Sequence, residues 1–340
     1  MSTTSLSPYT IPQTLPGRIH TEIPTPQPRK RKVLRNILIT LSLLIFSAVI
    51  AFHAYVALFL ARPDIVPLPS NPMQKLGLSY EDVSFASSNG MTHLDGWLIP
   101  AVKSKKSIVF SHGYGENRAA PWVPTYTIAK EMHNRGYNVL MFDYSYATAG
   151  STRLMTGGLQ ESKELAGAIE FLKERGMEQV YVWGYSMGAG TALQTALSQP
   201  NIDGMILDST FILSSDTLSS NIKRLANLPK YPSVPLIQLF SSLIDGINMR
   251  DIPYKQVMAH SYNMPIYFIH GDKDQLAPYG VIEKLAANQK SPLSDKWIVQ
   301  GGEHEMIHQS QSKAYFKNTF AFLDKVSSER TKFLASSTPL

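Results

Sequence analysis

The chain has no cysteine among its 340 residues. Disulfides, thiolate catalysis and cysteine-ligated zinc are therefore excluded. Charge is sparse, at 17% of residues, and unevenly spread. Residues 1–36 hold six basic side chains (Arg18, Arg29, Lys30, Arg31, Lys32 and Arg35) against the single acid Glu22, a surplus of +5 within a total of +6. The remaining residues are then nearly neutral at +1, which gives nucleic-acid binding no electrostatic support. No internal repeat is visible.

The longest absence is of formal charge from Asn36 to Ala61, a run of 26 residues flanked by Arg35 and Arg62. As a helix it extends about 39 Å at about 1.5 Å per residue, enough to cross a bilayer with some tilt. It is apolar on all faces and begins at a basic cluster, which favours a membrane anchor over a buried core helix. A cleaved signal peptide has a shorter apolar core and a small-residue cleavage site; Ala54 and Ala57 offer only a weak match. The expected topology is a single-pass cell-membrane protein. Arg29–Lys32 stay cytoplasmic and the larger domain lies outside. Residues 1–28 are rich in Ser, Thr and Pro and are expected to be disordered.

Downstream, apolar runs alternate with helix-forming runs. Tyr80–Phe85 and Thr92–Ile99 flank Asn89-Gly90 and read as a hairpin. Strands are predicted near 107–111, 138–142, 179–183, 204–207, 265–270 and 296–300. Helices are predicted near 122–135, 159–175, 188–199, 279–288 and 311–326. This pattern predicts an α/β fold, a mostly parallel sheet covered by helices on both faces. The stretch from Ser209 to Met264 is too long for a simple crossover and reads as a small helical cap. The expected organisation is a basic tail at 1–34, a membrane helix at 35–61, a linker at 62–78, a catalytic domain at 79–327 with its cap at about 209–260, and a C-terminal tail at 328–340.

Gly184-Tyr185-Ser186-Met187-Gly188 lies between the strand ending at Trp183 and the helix that follows. Gly-x-Ser-x-Gly in a strand–turn–helix setting is a nucleophile elbow, with small flanking residues where the turn is tightest. A serine hydroxyl needs a base, and the base an orienting acid. The strand Pro265–His270 opens into Gly271-Asp272-Lys273-Asp274. The strand at Trp297–Gln300 opens into Gly301-Gly302-Glu303-His304. Both lie past strand C-termini, where open parallel sheets place their sites. Upstream, Ser107–Ser111 leads into His112-Gly113-Tyr114-Gly115, the place for a second oxyanion donor.

These four motifs, in this order, resemble the α/β-hydrolases, and more narrowly the membrane-anchored bacterial relatives of the BEM46-like and prolyl-oligopeptidase-like serine hydrolases. The resemblance covers residues 75–327. It implies Ser186 as nucleophile, Asp274 as acid and His304 as base, with the Tyr114 and Met187 amides as oxyanion hole. Relatives usually carry Asp-x-Arg-Gly-x-Gly where this chain has Asp143-Tyr144-Ser145-Tyr146-Ala147-Thr148, so the arginine is missing.

Asp272, Asp208 and Asp143 lie at or just past strand ends and are rival acids; Asp272 has a turn-bracing alternative and Asp143 a structural one. His304-Glu305-Met306-Ile307-His308 satisfies the zinc signature His-Glu-x-x-His. That signature needs one continuous helix, whereas here a strand and two glycines precede it. The expected activity is hydrolysis of a carboxylic ester, thioester or amide, with no cofactor and no metal. A peptidase or amidase is the alternative within the class, and a catalytically silent binding protein the alternative outside it. The expected partners are a small acyl ester, amide or peptide substrate and the membrane, with no nucleic acid.

Overall fold

The structure is a computed structural model. It describes residues 1, 29–120, 122–198, 201–246 and 248–337. The proline-rich tail lies outside the described residues, apart from Met1.

The first helix, α1 (Arg29–Ala61), begins before the expected boundary at 35. Arg, Lys and Leu are good helix formers, and a helix already nucleated extends into them at little cost. It is long and apolar enough to cross a membrane, with mean hydropathy 2.4. The chain divides into two compact units, Met1–Val49 and Ile50–Leu340, so the last turns of α1 belong with the domain that follows.

That domain is built on one eight-stranded sheet. The strands are β1 (Glu81–Ala86), β2 (His93–Ile99), β3 (Lys106–Ser111), β4 (Asn138–Phe142), β5 (Gln179–Tyr185), β6 (Gly204–Asp208), β7 (Ile266–Gly271) and β8 (Asp295–Val299). Their order is β1-β2-β4-β3-β5-β6-β7-β8. The β1–β2 hairpin and the β2–β4 pair are antiparallel, and every pair from β4 to β8 is parallel. Every residue of β4, β5, β6 and β7 is buried. Their continuous apolar composition, without alternation, reflects burial on both faces.

Helices α2 (Pro72–Leu76), α3 (Thr125–Asn134), α4 (Leu159–Glu174), α5 (Met187–Ala196), α6 (Ser215–Ala226), α7 (Lys230–Asp245), α8 (Tyr254–Ala259), α9 (Gly280–Ala287) and α10 (Ile307–Ser337) complete the chain. One core packs Leu165, Ile169 and Leu172 of α4 and Leu193 of α5 against the sheet. The other packs Ile128 and Met132 of α3 and Leu323 and Val326 of α10 against its opposite face. The cap is α6 and α7, followed by a 3-10 turn and α8, all between β6 and β7. A third cluster joins Leu218 and Ile222 of α6, Val234 and Ile237 of α7, and Ala57 of α1.

Candidate active site

Ser186 sits between β5 and α5 with φ 47° and ψ −118°, a conformation that a residue with a side chain rarely adopts. The turn is possible because its neighbours lack side chains. A Cβ on Gly188 would lie 2.0 Å from the Ser111 carbonyl oxygen, and one on Gly184 would lie 2.6 Å from Ala189 Cα. Ser186 is thereby placed as the residue that immediately precedes α5.

His304 follows β8, and its Nε2 lies 2.8 Å from Ser186 Oγ. Its Nδ1 lies 2.7 Å from Asp274 Oδ2. The carboxylate can only accept, so Nδ1 carries the proton and Nε2 is free to accept from the serine. Asp274 Oδ1 accepts from the Leu276 and Ala277 amides at 2.9 and 2.8 Å, which fixes its orientation. Burial alone would push the His304 imidazole down. The Asp274 hydrogen bond and charge, with Glu305 and Asp208 beyond, outweigh it and hold the pKa above its usual 6.5.

The rival acids are engaged elsewhere. Asp272 Oδ1 accepts from the Gly301 amide at 2.7 Å and ties the β7 and β8 loops together. Asp208 accepts from Ser209 Oγ and the Tyr315 hydroxyl. Asp143 holds Arg118 at 2.8 Å. His308 sits on α10 with its ring edge-on to Tyr315 and Phe316, whereas His304 lies in the loop before that helix. The two histidines do not share a helical face.

Tyr114 and Met187 line the same cavity as Ser186 and His304. Met187 is the first residue of α5, so its amide is one of the orphan N–H groups at a helix start. The Gly113 carbonyl accepts from the Tyr146 hydroxyl at 3.1 Å and from His112 Nδ1 at 3.0 Å. Within a planar peptide the following N–H points the opposite way, so these two bonds set the direction of the Tyr114 amide. His112 Nε2 accepts from the Tyr144 amide at 3.1 Å, and burial lowers the pKa of this neutral ring. The Tyr144 hydroxyl bonds Ser111 Oγ at 2.6 Å, and Ser111 in turn donates to the Gly188 carbonyl. The loop after β4 is thus held by two tyrosines.

Sequence reasoning missed three features. Tyr146 is one; its signal was the period-two spacing of Tyr144 and Tyr146 past a buried strand. A second is the buried carboxyl pair Glu116 and Glu305. Glu116 Oε2 accepts from the Gly113 amide at 2.7 Å. Glu305 has φ 59° and donates its amide to Ser209 Oγ at 2.9 Å. Burial raises both carboxyl pKa values, and the Glu116 charge raises Glu305 further. The third is the end of α1. Leu60 and Ala61 face the cavity, which has a volume of about 200 Å³ and a wall that is almost wholly apolar.

Comparison with known proteins agrees with this fold. The sequence profile of the alpha/beta hydrolase fold matches residues 106–235, a stretch that includes the Ser186 elbow and ends before Asp274 and His304. The uncharacterized protein YqkD of Bacillus subtilis is 25% identical over 240 residues, 68% of this chain and 76% of its own length. YfhR of Salmonella typhi is 25% identical over 244 residues, 66% of this chain and 74% of its own. Among solved structures, the Pyrococcus furiosus esterase Pf2001 superposes with a TM-score of 0.62 at 23% identity, covering 77% of this chain and 98% of its own. The alpha/beta hydrolase GrgF from Penicillium sp. sh18 superposes at 0.55 with 20% identity, covering 73% and 99%. The chain has the α/β-hydrolase fold.

Proposed function

We infer that the protein is a serine hydrolase, anchored to a membrane by α1, which cleaves a carboxylic ester, thioester or amide through an acyl-enzyme. The observation that carries this reading is the unbroken line from Ser186 Oγ through His304 to Asp274, at 2.8 and 2.7 Å, behind a serine in a strained turn. His304 Nε2 takes the Ser186 proton as Oγ attacks the substrate carbonyl carbon. The oxyanion forms against the Tyr114 and Met187 amides, aided by the α5 dipole. His304 returns the proton to the leaving group, and the acyl group stays on Ser186. Water, deprotonated by the same histidine, then releases the acid. Asp274 keeps the imidazole in the required tautomer and stabilises its cation. The apolar wall favours an acyl ester over a polar peptide segment.

The test is a fluorophosphonate probe applied to the full chain in detergent, with Ser186→Ala as control and the adduct mapped by mass spectrometry. Labelling at Ser186 that disappears in the variant is expected. A folded protein that takes no label would sink the reading.

A further inference from the structure

The cavity in front of Ser186 is closed on one side by the last turn of α1. Leu60 and Ala61 line it together with Leu218, Leu225 and Ile237 of the cap, and Leu60 packs against the cluster that holds Leu218 and Ile237. The helix end is firmly held. His53, Ala57 and Ala61, spaced four apart on one face, are all buried. Ala57 packs into the cap cluster. The Ala61 carbonyl accepts from the Met155 amide at 2.7 Å, and the Phe59 carbonyl from the Tyr114 hydroxyl at 3.4 Å. The opposite face of these turns, Tyr55, Leu58 and Phe59, is exposed. On the cap, Leu239 and Leu243 lie one turn apart on α7, exposed by 52% and 70%. Leu225, at the cavity, is exposed by 65%. Apolar side chains of this size, next to a helix of membrane-spanning composition, match a lipid surface better than water.

We propose that the substrate is a lipid-borne ester of a long fatty acyl chain, taken from the membrane that holds α1, and that Leu60 and Ala61 form part of the wall along which that chain lies. The proposal rests on the serine-hydrolase reading and adds to it a substrate class and a role for the anchor. The uncharged run of 26 residues is longer than the roughly 20 that cross the hydrocarbon core, so its final turns are free to serve the domain. The carbonyl would meet Ser186 at the polar end of the cavity and the hydrocarbon would fill the rest. Each methylene taken in is expected to raise kcat/KM about three- to fourfold until the wall is covered.

The experiment uses the full chain in detergent with p-nitrophenyl acetate, butanoate, octanoate and dodecanoate. The wild type is expected to gain with length, and Ala61→Trp, which thickens the wall, to lower the dodecanoate-to-acetate ratio of kcat/KM about tenfold or more. Leu60→Ala, which recedes the wall, is the second variant should Ala61→Trp not fold, and is expected to move the preference to longer chains. The lipid source is tested with monododecanoylglycerol in phosphatidylcholine vesicles carrying the full chain, where Leu239→Glu with Leu243→Glu is expected to cut turnover about fivefold or more. A preference for acetate, or a length profile that ignores both wall variants, overturns the acyl wall if Ser186 still takes the fluorophosphonate label. Equal vesicle turnover in the leucine pair overturns the lipid source. An unlabelled Ser186 in the wild type overturns the hydrolase reading beneath both.

Discussion

At the scale of single residues, the proposed chemistry depends on the proton of His304. The imidazole must be neutral to act as base, and the Asp274 hydrogen bond and charge raise its pKa above 6.5 against the pull of burial. A group whose pKa is raised stays protonated, and here inactive, to a higher pH. The expected pH profile of kcat/KM therefore climbs through a midpoint above 6.5. Asp274→Asn removes the largest raising influence and leaves the burial, so the midpoint should move down while kcat falls by about 10⁴ through loss of the correct tautomer. Initial rates on a chromogenic ester across the pH range measure both. A profile that does not move in the variant would mean that Asp274 does not set the histidine. Ser186 and His304 were legible in the sequence because each is marked by its neighbours, glycines at the elbow and a strand end before the histidine. Glu116 and Glu305 were not. They meet only in three dimensions, and an acidic residue in a loop ordinarily faces water.

At the scale of elements, the parallel strands could be read because burial on both faces imposes continuous apolar runs, and such runs are local. Boundaries were read less well where tertiary contacts decide them. The final helix, predicted at 311–326, runs from Ile307 to Ser337, with a break in backbone geometry at Gln311. The insertion expected at about 209–260 is helical, and α7 accommodates Pro235 within its span. The elbow has little freedom. At Gly188 even a methyl group would meet the Ser111 oxygen at 2.0 Å and the His112 oxygen at 2.5 Å, both backbone atoms that cannot rotate away. Gly188→Ala is expected to destabilise by about 1–3 kcal/mol or more and to suppress Ser186 labelling. Gly280→Ala is the control. Nothing lies within 4 Å of a Cβ there, and alanine in a helix is favoured by up to about 1 kcal/mol. Thermal melts of the two variants should separate in opposite directions, and equal melts would mean that the β3–α5 contact is looser than it stands.

At the scale of the whole molecule, composition marked α1 as an anchor and nothing more. Hydropathy registers how apolar a segment is and not what it packs against. The three-dimensional arrangement gives its end a second part. Its last turns complete the cap cluster through Ala57, and the segment beyond them braces the loop after β3, where the Val66 carbonyl accepts from Asn117 Nδ2 at 2.5 Å. The natural place to cut a soluble form, after Arg62, therefore runs through the hydrophobic packing of the domain. A chain of residues 63–340 loses Ala57, Leu60 and Ala61 from the cap and leaves Leu218, Ile222 and Ile237 facing water. The loss should be roughly 2–4 kcal/mol, the scale of removing one or two buried aliphatic side chains, and should lower Tm by several degrees. A chain of residues 50–340 keeps these contacts and should melt close to the full protein in the same detergent. If the two truncated forms melt together, the helix end merely rests against the cap, and the domain is complete without it. If only the shorter form loses stability, the last turns of α1 are structural members of the domain that follows it.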